Sequence, residues 1–476
     1  MSRALTRVPA PAWIALIWAI AVFPNVPVRS FIWEEGTNAE LARDILRRGD
    51  LLEPTAYGVR HVEKPYLLSW LIAAAAQLTG GVNEWSARLP SMLAVLLTAL
   101  LVERLARRYA GAPAALFAAA SFMFCPLVLR KLTIGEPDTV VTFLSFAAFV
   151  LWWRGEETGR AVGLRWLACG AVLTLLTLAK GPQPAGFFAL GVGGYLVARG
   201  RLATPGLAFC LALPATATIA WAAAVYRPND LSTWLAYMRL GSGMDFVAYL
   251  SERAWFTGGL LIDLLPGTIL LPFLFIAWRR GQPPFVATIP VIFPLVLFAG
   301  LCTLALLVWP GARTRYAMPA APAVAALAGL AFDSLTRRGN HPVARLAVTT
   351  VVILFAYQVV LATVVMPLFA ERFGATRNAG LALDRAISAA PAPVFTIGGP
   401  HTNQLFYVTY PIRRVDDLSS KAITAPVWLL APGADIVQFE RARPDLTVHV
   451  VVATSAGPGL LAARLEPRSQ GPWHFR

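Results

Sequence analysis

The sequence has few of the polar side chains that a soluble protein needs. Only 14% of its 476 residues are charged, whereas 57% are hydrophobic, and the mean hydropathy is +0.60. A globular chain of this length could not cover its surface with so few polar groups, so the composition excludes a soluble enzyme. It predicts an integral membrane protein.

Cysteine is also scarce and has no metal-binding spacing. The four cysteines lie within or beside apolar runs, and none belongs to a CxxC pair: Cys125, Cys169, Cys210 and Cys302. We expect neither a disulfide nor a metal cluster from them. The net charge of +15 suits contact with anionic lipid and phosphate. Nucleic acid is disfavoured, because the basic residues are scattered among apolar runs.

Long apolar runs recur along the chain, and a helix of that length crosses ~30 Å of hydrocarbon. The candidate spans are 12–29, 88–106, 112–129, 138–153, 165–180, 183–198, 204–225, 257–278, 285–308, 316–333 and 344–367. The later arginine clusters face the cytoplasm only if the short stretch 66–79 does not cross. We therefore predict a re-entrant or juxtamembrane helix there, about eleven crossings and an outer C-terminus.

This topology places the loops 30–87 and 226–256 on the outer face. The outer segments collect these charged residues: Glu34, Glu35, Arg60, Lys64, Arg88, Arg130, Lys131, Glu136, Asp138, Lys180, Arg313 and Arg315. Outer cations oppose the positive-inside bias, so we expect several to bind an anionic ligand. The alternative is that long loops simply tolerate charge.

The composition changes near Glu371, where short β-rich runs punctuated by Gly and Pro begin. This pattern predicts a membrane domain at 1–370 followed by a small α/β domain at 371–476 on the outer face. The second domain lacks the Gly-rich spacing of a nucleotide fold.

The first outer loop contains two adjacent acids, Glu34 and Glu35, ahead of a short amphipathic pattern. Thr37 and Glu40 have the spacing of a capping box, and Gly49 predicts the end of that helix. A carboxylate before a helix N-terminus is favoured in its ionised form and can act as a general base. Two solvated helix-start acids are the structural alternative.

A second acidic pair, Glu136 and Asp138, stands at the start of another span. Cations lie at comparable positions, with Lys64 before the stretch 66–79 and Lys180 between two spans. Ionisable groups at the hydrocarbon boundary are costly and tend to mark a site. Carboxylates with Lys and Arg are what transfer from a phosphate-linked lipid requires, although Lys180 alone could be a snorkelling side chain.

Several motifs, in this order, resemble those of the bacterial GT-C membrane glycosyltransferases, the family of the protein O-mannosyltransferases and the lipid A aminoarabinose transferase. They are WEEGTNAELARDILRRGDLLEP, HVEKPYLLSWLIAAAAQLTGGVNEWSARLP, GEPDTVVTFL, KGP and RTRYAMPAAP. The resemblance covers roughly residues 10–335. It implies an all-α polytopic membrane fold and inverting transfer of a sugar from a polyprenyl-phosphate donor to a lipid, glycan or protein acceptor. It also implies action at the periplasmic face of the inner membrane.

The resemblance also implies roles for individual residues. The family's first-loop Asp-Glu pair corresponds to Glu34 and Glu35, which leaves open which of them is the base, and Asp138 matches a second acid. The remaining residues are expected near the donor or its phosphate: Glu63, Lys64, Glu136, Lys180, Arg313, Arg315 and Tyr316. No cofactor is certain, and a divalent metal stays an open alternative.

Two other functions fit parts of the pattern. A transporter or flippase for a lipid-linked or anionic substrate would also place charges among membrane spans, but such proteins tend to show duplicated halves, and we find no repeat. In the other reading, the spans only support an outer domain that binds a partner.

Overall fold

The computed structural model describes residues 9–158, 162–228, 230, 232, 243, 245–279, 289–339, 341–399, 401–415, 418, 422–454 and 459–468. The chain divides into two compact units. The first comprises Met1–Val26, Val62–Leu71 and Arg88–Val365, and the second Pro27–His61, Ile72–Ala87 and Met366–Arg476. Residues 27–61 and 72–87 thus group with the C-terminal segment, whereas the sequence pattern placed them with the spans. The division at 370/371 stays a prediction, and part of the loop 226–256 lies outside the described residues.

The described chain is predominantly helical. Its α-helices are α1 (Ala10–Val22), α2 (Glu35–Arg48), α3 (Leu67–Thr79), α4 (Glu84–Arg107), α5 (Ala112–Met123), α6 (Pro126–Leu129), α7 (Asp138–Thr158), α8 (Val162–Lys180), α9 (Gln183–Ala198), α10 (Pro205–Val225), α11 (Phe246–Asp263), α12 (Gly267–Arg279), α13 (Ile292–Val308), α14 (Ala321–Arg337), α15 (His341–Val360), α16 (Met366–Leu368), α17 (Ala370–Phe373), α18 (Ala375–Ala389), α19 (Thr402–Leu405) and α20 (Gly433–Ala442). Short helices of other types occur at Phe23–Asn25, Thr314–Ala320 and Leu361–Val365.

Among the described residues, five helices are long and apolar enough to cross a membrane, or six if one bent pair counts as a span. Four more apolar helices are shorter, at 10–17 residues. The count of about eleven crossings, which follows from run length alone, stays a prediction. The predicted span 257–278 is not one straight helix, since α11 and the start of α12 meet at 93°. Pro266 stands at this break, lacks an N–H group and disfavours a helical Leu265.

Small residues allow α5 and α14 to pack closely within the first unit. A Cβ atom on Gly329 would lie 2.6 Å from the Cβ of Ala118 and 2.9 Å from the carbonyl oxygen of Ala114. Phe117 and Phe332 of the same two helices stack at 4.5 Å. Apolar side chains gain little free energy by moving from lipid into a contact between helices. Close van der Waals contact between small residues therefore stabilises such helix pairs.

Helix α2 begins earlier than the capping-box pattern predicts. It starts at Glu35, and Glu34 occupies the N-cap position without a side-chain capping bond. The Thr37 hydroxyl lies 2.8 Å from the hydroxyl of Thr402, and the Glu40 carboxylate pairs with an arginine of its own helix. The predicted capping box is therefore wrong, because both side chains bind other partners, Thr37 in a distant segment and Glu40 within α2.

The end of α2 is confirmed at Gly49. This residue has a left-handed φ of 72°, and its N–H donates to the carbonyl of Ile45 at 2.8 Å. A short hairpin of β1 (Thr55–Ala56) and β2 (Val59–Arg60) follows. The apolar stretch 66–79 is helical as α3.

The C-terminal segment contains a five-stranded sheet in the order β4-β3-β5-β7-β6. Its strands are β3 (Val394–Thr396), β4 (Ile412–Arg414), β5 (Val427–Pro432), β6 (Leu446–Ala453) and β7 (Leu460–Pro467). Strand β3 pairs in parallel with β4 and β5, and the other pairings are antiparallel. Trp428 and Leu430 of β5 pack with α18, whereas Leu429 and Ala431 pack with α20. Alternate residues of β5 therefore bury both faces, as expected of a central strand.

The close packing of α5 and α14 gives a stability prediction. Gly329→Ala should lower the free energy of unfolding by about 1–3 kcal/mol, because the new methyl overlaps backbone as well as side-chain atoms. The control is Gly193→Ala in α9, where a Cβ meets nothing within 4 Å. Thermal denaturation of both variants in the same detergent should show a lower midpoint for Gly329→Ala alone.

Candidate functional site

Buried charges gather at one end of the membrane helices in the first unit. The charged cluster consists of Lys131, Glu136, Asp138, Lys180 and Arg315. The first three residues are only 3–5% exposed. The ammonium of Lys131 pairs with Glu136 and lies 3.6 Å from the Asp138 carboxylate, while Lys180 pairs with the other oxygen of Asp138. Three cations and two carboxylates leave the cluster one positive charge in excess.

The chain positions this cluster through helix ends and a short loop. Asp138 is the first residue of α7, where unpaired N–H groups favour an ionised carboxylate. Lys180 is the last residue of α8, which suits a cation. The backbone carbonyl of Glu136 accepts a hydrogen bond from the Ser91 hydroxyl at 2.9 Å, which fixes the loop before α7.

A small pocket opens beside these charges. Asp138, Lys180 and Arg315 line it together with Tyr316 and Gln183. The Lys180 ammonium lies 5.1 Å and the Arg315 guanidinium 5.4 Å from the centre of the Tyr316 ring, within the range of cation–π contacts. The pocket therefore offers cations and an aromatic face to a small anionic group.

The remaining candidate residues of the first unit differ in their exposure to solvent. Arg313 is exposed. Glu63 is exposed and Lys64 half-buried; both belong to this unit. Lys131, which the resemblance did not assign, is the link between the two carboxylates. Its position among the outer cations was the only sequence signal for it.

The second unit contains the other acidic pair, in a tight bend that we name the carboxylate turn (residues 33–36). Glu34 is exposed, whereas Glu35 is fully buried at 0% exposure. The Glu35 carboxylate accepts the N–H of Ile32 at 3.1 Å and lies 3.9 Å from the Arg29 guanidinium. The two adjacent glutamates thus have different environments, since Glu34 is exposed and Glu35 is buried.

The C-terminal segment bonds to the chain around this turn. The N–H of Phe31 donates to the Tyr407 hydroxyl at 3.0 Å, and that hydroxyl donates to Glu84 at 2.9 Å. Arg377 donates to the same Glu84 oxygen at 2.7 Å. Burial, together with the Glu84 charge, raises the pKa of Tyr407, so its hydroxyl keeps the proton that it donates.

Helix α2 is fixed to the same segment. Arg43 donates to Glu40 at 2.8 Å and to the Phe406 carbonyl at 3.0 Å, and its guanidinium lies 3.7 Å from the Phe406 ring centre. Burial raises the pKa of Glu40, although the charge of Arg43 opposes that effect. The C-terminal segment therefore holds the chain both before the carboxylate turn, at Phe31, and after it, at Arg43 of α2.

The part of the chain that the structure describes contains no ready set of ligands for a metal ion. There, no group of three or more His, Cys, Asp or Glu side chains is placed to hold an ion.

Comparison with known proteins identifies relatives. The family model described as dolichyl-phosphate-mannose-protein mannosyltransferase matches residues 63–226. An undecaprenyl phosphate-alpha-4-amino-4-deoxy-L-arabinose arabinosyl transferase from Pseudomonas paraeruginosa is 30% identical over 353 residues, 69% of this chain and 62% of the relative. A protein of the same name from Edwardsiella ictaluri is 31% identical over 184 residues, 38% of this chain and 33% of its own. The chain thus spans about three fifths or less of these relatives.

Solved structures decide the fold. The crystal structure of ArnT from Cupriavidus metallidurans in the apo state aligns with a TM-score of 0.74 at 17% identity, over 97% of this chain and 98% of that one. The same protein bound to undecaprenyl phosphate gives 0.72 at 18% identity, over 95% and 96%. This chain is a GT-C-fold relative of the aminoarabinose transferases. The predicted fold class, a helical polytopic membrane protein, is confirmed.

The buried pair of Lys131 and Glu136 predicts strong coupling. Lys131→Met removes the ammonium that pairs with the buried Glu136, so the variant should lose about 3–5 kcal/mol of stability. The double variant Lys131→Met/Glu136→Gln should lose less than the sum of the single variants, because neither charge is left alone.

Equilibrium unfolding in mixed detergent measures both effects. Arg464→Gln is the control: the two side chains of its ion pair with Glu466 are 29% and 40% exposed, so its loss should stay near 0–1 kcal/mol. Strict additivity in the double variant would contradict the pairing of Lys131 with Glu136.

Proposed function

We propose that this protein is an inverting glycosyltransferase. It moves a sugar from a polyprenyl-phosphate donor to a lipid, glycan or protein acceptor at the periplasmic face of a bacterial inner membrane. The names of its relatives suggest undecaprenyl phosphate-linked 4-amino-4-deoxy-L-arabinose as the first donor to test. The observation that carries the proposal is the pocket beside the charged cluster, whose cations suit a lipid-linked phosphate.

The reaction forms a bond between an acceptor oxygen and the anomeric carbon of the sugar. The bond between that carbon and the phosphate oxygen breaks, and the phosphate leaves with the electron pair. The acceptor's proton passes to a carboxylate. The protein therefore needs a base for the acceptor and cations that stabilise the charge on the departing phosphate.

Arg315 is the best candidate for phosphate contact. Its Nε atom is buried and has no hydrogen-bond partner among the described residues, while its guanidinium lies beside the Tyr316 ring. A buried donor of this kind is costly unless a ligand accepts from it. In this proposal, Lys64 provides a second cation, and Lys180 stays tied to Asp138.

Glu34 is the proposed base. Glu34 is an exposed residue that an acceptor hydroxyl can approach, whereas Glu35 is buried and accepts the Ile32 N–H. Glu35 holds the turn in shape. The different environments of the pair give each glutamate a different task.

The base prediction concerns turnover. Glu34→Gln keeps the shape of the side chain but removes its basicity, and general-base catalysis contributes about 10²–10⁴ in rate. In a strain from which the gene is deleted, mass spectrometry of envelope lipids and glycans should show the loss of one sugar residue from a product. Expression of the wild-type protein or of the control Glu53→Gln in that strain should restore the full product mass, and expression of Glu34→Gln should not. Retention of more than about a tenth of turnover by Glu34→Gln would remove Glu34 from the role of base.

The phosphate prediction compares neighbouring arginines. Charge-assisted bonds contribute about 1.5–3 kcal/mol each, so Lys64→Ala and Arg315→Ala should each weaken donor use by roughly tenfold or more. Arg313→Ala, which removes an exposed side chain, should change it little. Steady-state kinetics over a range of donor concentrations measures this, and equal effects of Arg313→Ala and Arg315→Ala would oppose the assignment.

The topology prediction uses exposed positions in a background without the native cysteines. Arg413→Cys should react with an impermeant maleimide in intact spheroplasts, because the C-terminal segment is proposed to be periplasmic. Arg338→Cys, in a proposed cytoplasmic cluster, should react only after lysis. The reverse pattern would place the carboxylate turn on the cytoplasmic side.

A further inference from the structure

Asn403 is bonded to both ends of the carboxylate turn. Its Oδ1 accepts the N–H of Gly36 at 2.9 Å, and its Nδ2 donates to the carbonyl of Trp33 at 2.9 Å. Glu34 lies between these two attachment points in the chain. We propose that Asn403 is a positioning residue that sets the direction of the Glu34 carboxylate; this inference rests on the proposed role of Glu34 as base.

The first bond supplies a helix cap from a distant segment. Gly36 is in the first turn of α2, where backbone N–H groups lack intrahelical partners. An Asn, Asp, Ser or Thr at the N-cap usually accepts one of these bonds, but Glu34 at that position makes no capping bond. Asn403, 367 residues away in sequence, accepts it instead. The start of α2 is thus defined by the C-terminal segment.

The second bond holds an unusual backbone conformation. Trp33 has a φ of 51°, in the left-handed region that residues with a Cβ rarely adopt. Trp33 is 57% exposed, so burial of the residue does not account for the conformation. Strained backbone at functional sites persists when surrounding contacts determine it. The bond from Asn403 to the Trp33 carbonyl is such a contact.

The space beside Asn403 is closed to any side chain at position 36. A Cβ atom on Gly36 would lie 2.6 Å from the Asn403 Oδ1 and 2.8 Å from its backbone N and Cα atoms. Backbone atoms cannot move aside as a flexible side chain would. The glycine therefore permits the close approach that the hydrogen bond requires, and Gly36→Ala should separate the turn from Asn403.

The inference predicts a specific kinetic change. Asn403→Ala leaves the Glu34 carboxylate intact but less well oriented, and a displacement of about 1 Å in a catalytic group can cost on the order of a hundredfold in rate. We expect kcat to fall by about ten- to a hundredfold while the KM for the donor stays near that of the wild type. Asn378→Ala is the control, since Asn378 is an exposed asparagine of the same unit.

Hydrogen–deuterium exchange tests the contact without relying on activity. In the full-length protein in detergent, Asn403→Ala should speed exchange in a peptide covering residues 33–38, because the Gly36 N–H loses its acceptor. The Asn378→Ala protein should exchange like the wild type. Unchanged exchange in Asn403→Ala would overturn the proposed contact.

A double-variant cycle tests whether the contact serves catalysis. Gly36→Ala and Asn403→Ala should each lower kcat, and the double variant should lose no more than the worse single variant, because both changes break the same contact. Faster exchange in Asn403→Ala with an unchanged kcat would overturn the positioning role.

Failure of this inference differs from failure of the proposed function. If Glu34→Gln stays active, the role of Glu34 as base is wrong whatever Asn403→Ala does. If Glu34→Gln is inactive while Asn403→Ala has a normal kcat, the base assignment stands and the positioning role is wrong.

Discussion

The cost of burying ionised groups is the constraint on which the charged cluster of the first unit depends. Such groups are tolerated where opposite charges and helix ends compensate them. Asp138 at the start of α7 and Lys180 at the end of α8 satisfy both conditions, and Lys131 bridges Asp138 to Glu136. These ion pairs neutralise the two carboxylates and leave the cluster with a net positive charge, which would attract an anionic ligand.

Much of this organisation could be predicted from local sequence. Run length and hydropathy indicate the membrane helices, and Gly49 marks the end of α2 because only its conformation suits that cap. The acids at helix starts can also be identified from local sequence. The ion pairs of Lys131 cannot, because the sequence does not show which carboxylates lie beside this lysine in the fold. Pro266 could have predicted the bend between α11 and α12, because proline interrupts a helix. Run length alone treats 257–278 as one straight span.

The carboxylate turn shows where local patterns fail. Thr37 and Glu40 have ideal capping-box spacing, yet the Thr37 hydroxyl meets Thr402, and Asn403 caps the helix instead. A motif of four residues cannot reveal a competitor in another part of the chain. Likewise, two adjacent glutamates look equivalent in sequence, whereas in the structure Glu35 is buried and accepts the Ile32 N–H and Glu34 is exposed.

The discontinuity of the second unit has a consequence for biosynthesis. The first loop leaves the ribosome early, but the residues that bond to it, Thr402, Asn403 and Tyr407, follow 365–376 positions later. At about 5–20 residues per second, that interval is roughly 20 to 75 s. Throughout that time the first loop has none of these bonds, so a truncated chain would carry the glutamates without their framework. Ordering of the carboxylate turn is thereby coupled to completion of synthesis.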